Sequence, residues 1–280
     1  MSIAGGPHKA VERAAAAGCQ CVQLFTKNNN QWKAKAIGRD VAERFQQALA
    51  EWNITHPVAH DSYLINLASP ERTLWKKSID AMVDELRRAE TLGIPYVITH
   101  PGAFTTSSES RGLRRIVRAI DEVGRQTTQL AARCLLETTA GQGSSLGWRF
   151  EQLAAILDGV KEPDRLGVCF DTAHVFAAGY PLATAKQYRE TMRRFDELIG
   201  LDRIRAFHFN DSLRELGSRV DRHTHIGQGH LGTEPFRRLL ADRRLSRIPI
   251  YLETPKEKLD GADMDRVNLA TLRKLARRRR

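Results

Sequence analysis

Long hydrophobic runs are missing from this chain. No stretch approaches the ~20 apolar residues that a membrane-spanning helix needs, and residues 1–18 carry no apolar core of a secretory signal. A soluble cytoplasmic protein without membrane partners is expected. Cysteine is scarce: four residues in 280, with Cys19 and Cys21 spaced C-x-C and no C-x-x-C pair anywhere. That excludes a disulfide scaffold and a zinc ribbon, and leaves four thiols in a reducing compartment. The G-x-G-x-x-G turn of dinucleotide-binding sheets is absent after the first β-rich run. Acidic residues are in deficit, 33 against 44 Lys and Arg, for a net charge of +11. Six of those cations crowd the basic tail at residues 273–280, and the remainder is still positive. Such a balance favours a polyanionic partner, nucleic acid first. No linker, short repeat or low-complexity block occurs apart from the Arg tail, so residues 1–280 read as one domain.

What is present is an alternation. With 41% apolar and 28% charged residues the chain can build a sizeable core. Seven β-rich runs are predicted as strands: Cys21–Asn28, Pro57–Ser62, Pro95–Gly102, Cys134–Thr138, Leu166–His174, Ile204–Asp211 and Ile248–Thr254. Amphipathic stretches separate them, among them Pro7–Gly18, Val41–Trp52, Thr73–Leu92 and Arg115–Ala131. Strands alternating with helices mean βαβ units and a parallel sheet. The fold class is α/β, a TIM (β/α)8-type barrel one strand short at its start; an open doubly wound sheet is the alternative.

Chemistry gathers where those strands end. His60, His100, Glu137, Asp171 with His174, His208 and Glu253 all fall at or just beyond a strand's C-terminus. In a parallel barrel these ends share one face, so residues spread over 190 positions converge there. Asp221 and His223 add a pair two residues apart, which in extended backbone points one way and can grip one ion. A single histidine at a strand end is ordinarily a hydrogen-bonded polar residue, and D-x-x-H or D-x-H occurs by chance. Position carries the argument: five of nine histidines sit at or beyond strand ends, with carboxylates in matching places. Such mixed donors suit Zn²⁺, with Mn²⁺ or Fe²⁺ as alternatives. His8, His56, His225 and His230 lack that placement and are expected on the surface or beside the site.

Seven segments then resemble, in order and from Ser2 to about Lys256, the endonuclease IV family of apurinic/apyrimidinic endonucleases. They are His60–Leu67 (HDSYLINL), Thr99–Gly102 (THPG), Glu137–Gly147 (ETTAGQGSSLG), Phe170–Tyr180 (FDTAHVFAAGY), His208–Asp211 (HFND), Gly217–His223 (GSRVDRH) and Leu252–Thr254 (LET). The resemblance implies a (β/α)8 barrel with three zinc ions. His60, His100 and Glu137 would hold one; Glu137 would bridge to a second with Asp171, His208 and Glu253; His174, Asp221 and His223 would hold the third. Glu137 would be the catalytic carboxylate. The implied reaction cuts duplex DNA 5′ to an abasic sugar, leaving a 3′-hydroxyl and a 5′-deoxyribose phosphate. Zinc fits it by lowering the pKa of water from ~15.7 toward ~7 and by offsetting charge on the leaving oxygen.

Asn28–Trp32 (NNNQW) and Tyr63-Leu64 match family loops that probe the minor groove at the lesion, making Asn30, Tyr63 and Leu64 the implied DNA contacts. At Asn30 a short neutral amide replaces the basic side chain that many relatives insert into the duplex. The family's first strand, ending G-A-H, has no counterpart, since Met1 falls within that motif; the resemblance implies a product that begins upstream. No obligate protein partner is expected, and the chain reads as a monomer. The competing enzyme class is a metal-dependent sugar isomerase or epimerase on a related barrel. That class has no need of the third ligand set, the basic surplus or Tyr63-Leu64. An inactive DNA-binding scaffold is the non-enzymatic alternative, against which the intact nine-residue set argues.

Overall fold

The seven apolar, β-branched runs all form strands; six are shorter than their runs, while the Cys134–Thr138 run forms a strand of equal length one residue earlier, at Arg133–Glu137. In a computed structural model of the chain, residues 1–256, 258–259 and 262–277 are described. They fall into two compact units, Met1–Glu137 with Ala155–Gly167, and Thr138–Ala154 with Val168–Arg280.

The first unit runs α1 (Pro7–Ala17), β1 (Val22–Phe25), α2 (Arg39–Glu51), β2 (Pro57–His60), α3 (Arg72–Leu92), β3 (Tyr96–Thr99), α4 (Glu109–Gln126) and β4 (Arg133–Glu137). Residues 1–6 form no helix or strand, as their composition suggests. Adjacent strands pair in parallel: Leu24 opposes Ala59, His60 opposes Ile98, and Ile98 opposes Leu135. Both faces of these strands are covered, so they read as continuous apolar runs rather than alternating ones. Leu24, Val58, Val97 and Leu135 are buried, with Ile79, Met82 and Ile116 of the helices. Glu71 caps α3 through both carboxylate oxygens, on the amides of Thr73 and Leu74. Gly93 ends α3 in the left-handed conformation at φ 66°, which a side chain there would strain. α4 departs from its predicted range, Arg115–Ala131. It starts at Glu109, directly after Ser108, and stops before Thr127, whose hydroxyl folds back onto the Val123 carbonyl at 2.8 Å. That back-bond and two successive β-branched threonines favour a turn over another helical residue.

α5 (Phe150–Gly159) follows in the chain. The second unit carries all but the first two residues of β5 (Leu166–Asp171), α6 (Thr172–Ala177), α7 (Ala185–Leu198), β6 (Ile204–His208), the short antiparallel pair β7 (Asp211–Ser212) and β8 (His223–Thr224), α8 (Glu234–Ala241) and β9 (Ile250–Tyr251). A small antiparallel pair, β10 (Lys258–Leu259) and β11 (Ala262–Asp263), precedes α9 (Met264–Arg277). β5 pairs in parallel with β6, and β6 with β9. The core here is aromatic: Phe150 stacks on Tyr180 with centroids 3.9 Å apart and meets Phe195 edge-on at 5.1 Å. A capping box between Thr184 and Gln187 starts α7. Of the basic tail, residues 273–277 close α9; Arg278, Arg279 and Arg280 lie outside the described residues.

Candidate metal centre

In the first unit three neighbouring strands each deliver one ligand-type side chain. His60 ends β2, His100 follows β3 directly, and Glu137 ends β4. Because these strands are adjacent and parallel, their last residues are brought together. The Nε2 atoms of His60 and His100 lie 3.2 and 3.3 Å from the same Glu137 oxygen, Oε2. Glu137 is fully buried and His60 nearly so, while the His100 side chain is 39% exposed, leaving the group open on one side. The His60 Nδ1 lies 3.0 Å from the Asp61 carbonyl, which fixes the proton on that nitrogen and leaves a lone pair on Nε2. That lone pair faces a carboxylate, an arrangement that is repulsive until a cation fills it. A proton can do so: burial opposes the charge, but hydrogen bonds to Asp61 and Glu137 and their negative charge hold the His60 imidazole well above its ordinary pKa. A metal ion can do so equally. Asp61 is itself held by the Thr99 hydroxyl at 2.5 Å.

The second unit repeats this logic with different parts. Asp171 ends β5 and caps α6, its Oδ1 accepting from the His174 amide at 2.7 Å and its Oδ2 from the Asn210 side chain at 2.5 Å. The D-x-x-H spacing puts His174 in the first turn of α6 beside its own cap. The His174 Nδ1 lies 2.8 Å from the Thr138 carbonyl, so its Nε2 carries the lone pair. That atom lies 3.1 Å from Asp221 Oδ2 and 3.3 Å from the Nε2 of His223. Asp221 Oδ1 is 3.3 Å from His223, and Asp171 Oδ2 is 3.8 Å from it. His208, at the end of β6, is 3.3 Å from Glu253 through Nδ1 and 3.8 Å from Asp171. The ligand atoms of Asp171, His174 and His223 lie within 4.8 Å of one another, a cation's donor set. His60, His100 and Glu137 lie close enough to share one ion, as do Asp171, His174 and His223. The residues therefore fit metal ions.

The predicted DNA contacts sit beside the first group. Tyr63 is 62% exposed, which rules out core packing, and its ring meets Phe25 and His60 at 5.5 and 6.1 Å. Leu64 is half-buried and Asn30 exposed. The Ser62 hydroxyl donates to the Asn29 carbonyl at 2.6 Å, tying the two loops together. His225, expected on the surface or beside the site, is buried against Asn268 at 3.1 Å. His8 is half-buried, and His56 and His230 are exposed.

Sequence reasoning missed the supports. Asn210 and Asp211 occur in the quoted HFND segment, and only their position after a strand-end histidine could have flagged them. Lys27 is buried in ion pairs with Asp84 and Glu85 at 2.8 and 2.9 Å. Burial raises the Glu85 pKa, opposed by Lys27. The Thr26 hydroxyl donates to Glu85 at 2.6 Å, and Arg88 donates to the Thr26 carbonyl at 2.6 Å. This network anchors the turn that leads into Asn28–Trp32.

Residues 11–275 match the model of the xylose isomerase-like TIM barrel family. The chain is 51% identical over 275 residues to a protein of Trichlorobacter lovleyi named probable endonuclease 4, covering 98% of this chain and 97% of that one. A Geobacter sulfurreducens protein of the same name is 50% identical, with 100% and 94% covered. The chain belongs to the endonuclease IV family. Its fold superposes on the crystal structure of endonuclease IV from Thermus thermophilus with a TM-score of 0.86, at 34% identity and with 99% and 97% of the chains covered. The expected TIM-barrel class is thereby borne out, with seven parallel strands among the described residues. A D-tagatose 3-epimerase-like protein matches with a TM-score of 0.73 at 18% identity, a likeness of fold alone.

Proposed function

We propose that the chain is a metal-dependent DNA repair endonuclease that hydrolyses the phosphodiester 5′ to abasic sites in duplex DNA, leaving a 3′-hydroxyl and a 5′-deoxyribose phosphate. The observation that carries this reading is whole-length identity of about half to proteins named endonuclease 4, together with clustered His, Asp and Glu side chains able to hold metal ions. The sugar isomerase reading is set aside, since its neighbours share the fold at under a fifth identity.

Nine side chains form the proposed metal set: His60, His100, Glu137, Asp171, His174, His208, Asp221, His223 and Glu253. Three zinc ions per chain, with Mn²⁺ in part, is the proposed load, and Glu137 is the proposed catalytic carboxylate. Bound zinc would supply Lewis-acid charge at the scissile phosphate and lower the pKa of water toward ~7. The chain's own residues orient the donors. The Asp61 and Thr138 carbonyls hold His60 and His174 in the tautomer that presents Nε2. Asn210 and the His174 amide fix both oxygens of Asp171. Tyr63, Leu64 and Asn30 are the proposed lesion contacts, supported by the exposure of Tyr63 and the Ser62 link between their loops. A missing base leaves a weakly stacked step that is cheap to kink and flip. A monomer, one functional domain and a cytoplasmic, nucleoid-associated location complete the proposal; no described helix is long and apolar enough to cross a membrane.

Incubation with a duplex carrying one abasic-site analogue, with and without chelator, tests the activity. Elemental analysis of protein purified without chelator should give close to three ions, zinc predominating, and one ion or none would remove the three-metal proposal. Tyr63→Ala with Leu64→Ala should weaken binding to abasic duplex more than to undamaged duplex. Equal losses would make the pair packing or backbone contacts.

A further inference from the structure

On α2, α7 and α8, and at the C-terminal end of α4, arginines are neutralised by an acid one turn away. Arg44 pairs with Asp40 at 2.7 Å, Arg125 with Glu122 at 2.6 Å, Arg193 with Glu197 at 2.6 Å and Arg237 with Glu234 at 2.5 Å. The facing N-terminal halves of α3 and α4 are different. Arg72 and Lys76 on α3 and Arg111, Arg114, Arg115 and Arg118 on α4 form no ion pair among the described residues. No acid occurs between Arg72 and Lys77, or between Arg111 and Arg118. Five of the six are exposed, and Arg115 is half-buried.

The like charges are held together by packing. Trp75 lies between the helices, its indole N–H donating to the Arg115 carbonyl at 3.2 Å. The guanidinium carbons of Arg115 and Arg118 approach its ring to 4.9 and 5.9 Å. The Arg115 Nε and Nη2 atoms are buried without a hydrogen-bond partner. Burial above all, and then the neighbouring Arg118, lower the Arg115 pKa, while the Glu71 carboxylate raises it. Arg72, Trp75, Lys76 and Arg118 also line one side of a cleft of about 720 Å³ in this unit. Unpaired guanidinium groups clustered on one stripe, backed by an aromatic ring, make a phosphate-binding surface.

We propose that this α3–α4 stripe binds the phosphate backbone of double-stranded DNA outside the lesion. The placement suits one continuous duplex. α3 begins after the loop that follows His60, and α4 after the loop that follows His100, so their N-termini lie at the same strand ends as those ligands. Arg111 to Arg118 spans roughly 10 Å at 1.5 Å per residue, the length of about three phosphates of one strand. The contact is without sequence preference, because these side chains meet phosphates and no base edge.

The inference rests on the reading that this chain acts on duplex DNA, and its test separates the two. A variant carrying Arg72→Gln, Lys76→Gln, Arg114→Gln and Arg118→Gln is compared with one carrying Arg72→Lys, Arg114→Lys and Arg118→Lys. Binding to an undamaged duplex is followed by fluorescence anisotropy across a salt series. Each lost phosphate contact removes about 0.9 from the magnitude of the slope of log K against log salt, so the Gln variant, short of four cations, should lose about 3.6. The Lys variant should keep the slope of the parent protein. Cleavage of a short abasic duplex at saturating substrate should be unchanged in both. A slope lowered by less than about one, or equal loss in the Lys variant, overturns the proposal. Failure of the parent protein to cut the short duplex would count against the endonuclease reading instead.

Discussion

In the first unit each ligand-type side chain comes from the end of a strand, and one exposed flank is left at His100. In the second, Asp171 and His208 end strands, but His174 comes from a helical first turn, Asp221 from the loop before β8 and His223 from the start of β8. The first group therefore leans on the sheet, whereas the second is held by side chains acting at a distance. Asp171 alone caps a helix, accepts from Asn210 and faces His223. His100 faces Glu137 at 3.3 Å from the flank of the group. Ligand and scaffold are thus separable in the first group and fused in the second.

The largest effect should come from breaking the fused case. Asp171→Ala removes a metal donor, a helix cap and the partner of a buried Asn210 together. Cleavage should fall at least about a thousandfold, as expected for several kcal/mol of lost metal-ion assistance. Denaturant unfolding should show a loss of about 2–4 kcal/mol, from the cap and the stranded amide. His100→Ala should also reduce cleavage but cost less than about 1 kcal/mol of stability, as partly exposed sites do. Equal destabilisation by the two variants would break the comparison.

Next comes Asp211→Asn, behind the second group. One Asp211 oxygen accepts from the amides of Ser212 and Leu231 at 2.8 and 2.9 Å, the other from Gly227 and Gly229 at 2.9 and 3.0 Å. Gly229 packs so closely that a Cβ there would stand 2.4 Å from the Ser212 carbonyl oxygen. An Asn would turn an N–H₂ toward two backbone donors, at a cost of about 2–3 kcal/mol. Urea unfolding measures it, and an unchanged midpoint would show that the loop has another organiser.

These cases explain what could be read beforehand. Strand ends are legible because a run of Val, Ile, Leu and Phe stops abruptly at a polar residue, as at His60, Glu137 and His208. The pair Asp221 and His223 was legible through the two-residue period of extended chain. Asn210, Asp211 and Gln142 were not, since Asn, Asp and Gln in a loop carry the same signal whether they cap, turn or support a ligand. Lys27 and Glu85 meet across a separation that no local pattern encodes. The same limit moved α4, whose C-terminal stop depends on one threonine hydroxyl rather than on periodicity.

A smaller effect is expected at Gln142, whose side-chain oxygen accepts from the Asp221 amide at 3.0 Å. Beside it Arg219 donates to the Gly141 carbonyl at 3.0 Å and lies 4.3 Å over Trp148. Gln142→Ala frees the backbone that aims Asp221. Metal affinity of the second group should fall about 10–100-fold, the usual loss when a ligand's support is removed. The first group should be untouched. Competitive titration with a chromophoric chelator resolves the two, and a uniform loss across all ions would mean that the groups are not independent.

The smallest effect concerns protons at the first group. In metal-stripped protein, burial disfavours a charged His60, but the Asp61 and Glu137 carboxylates outweigh it and raise the pKa. A folded state that holds a proton more tightly than the unfolded chain gains stability below the unfolded value of ~6.5. It loses that gain as pH rises through the higher folded value. His60→Gln cannot hold the proton. The stripped variant should therefore melt below the stripped parent protein at mildly acid pH, and the gap should narrow as pH rises. In metal-loaded protein the ion replaces the proton, so affinity for metal should increase over the same range. Melting curves of the stripped pair at several pH values decide the matter. A gap that stays constant or widens toward alkaline pH would mean that no proton bridges His60 and Glu137, and that the first group is poised for metal by geometry alone.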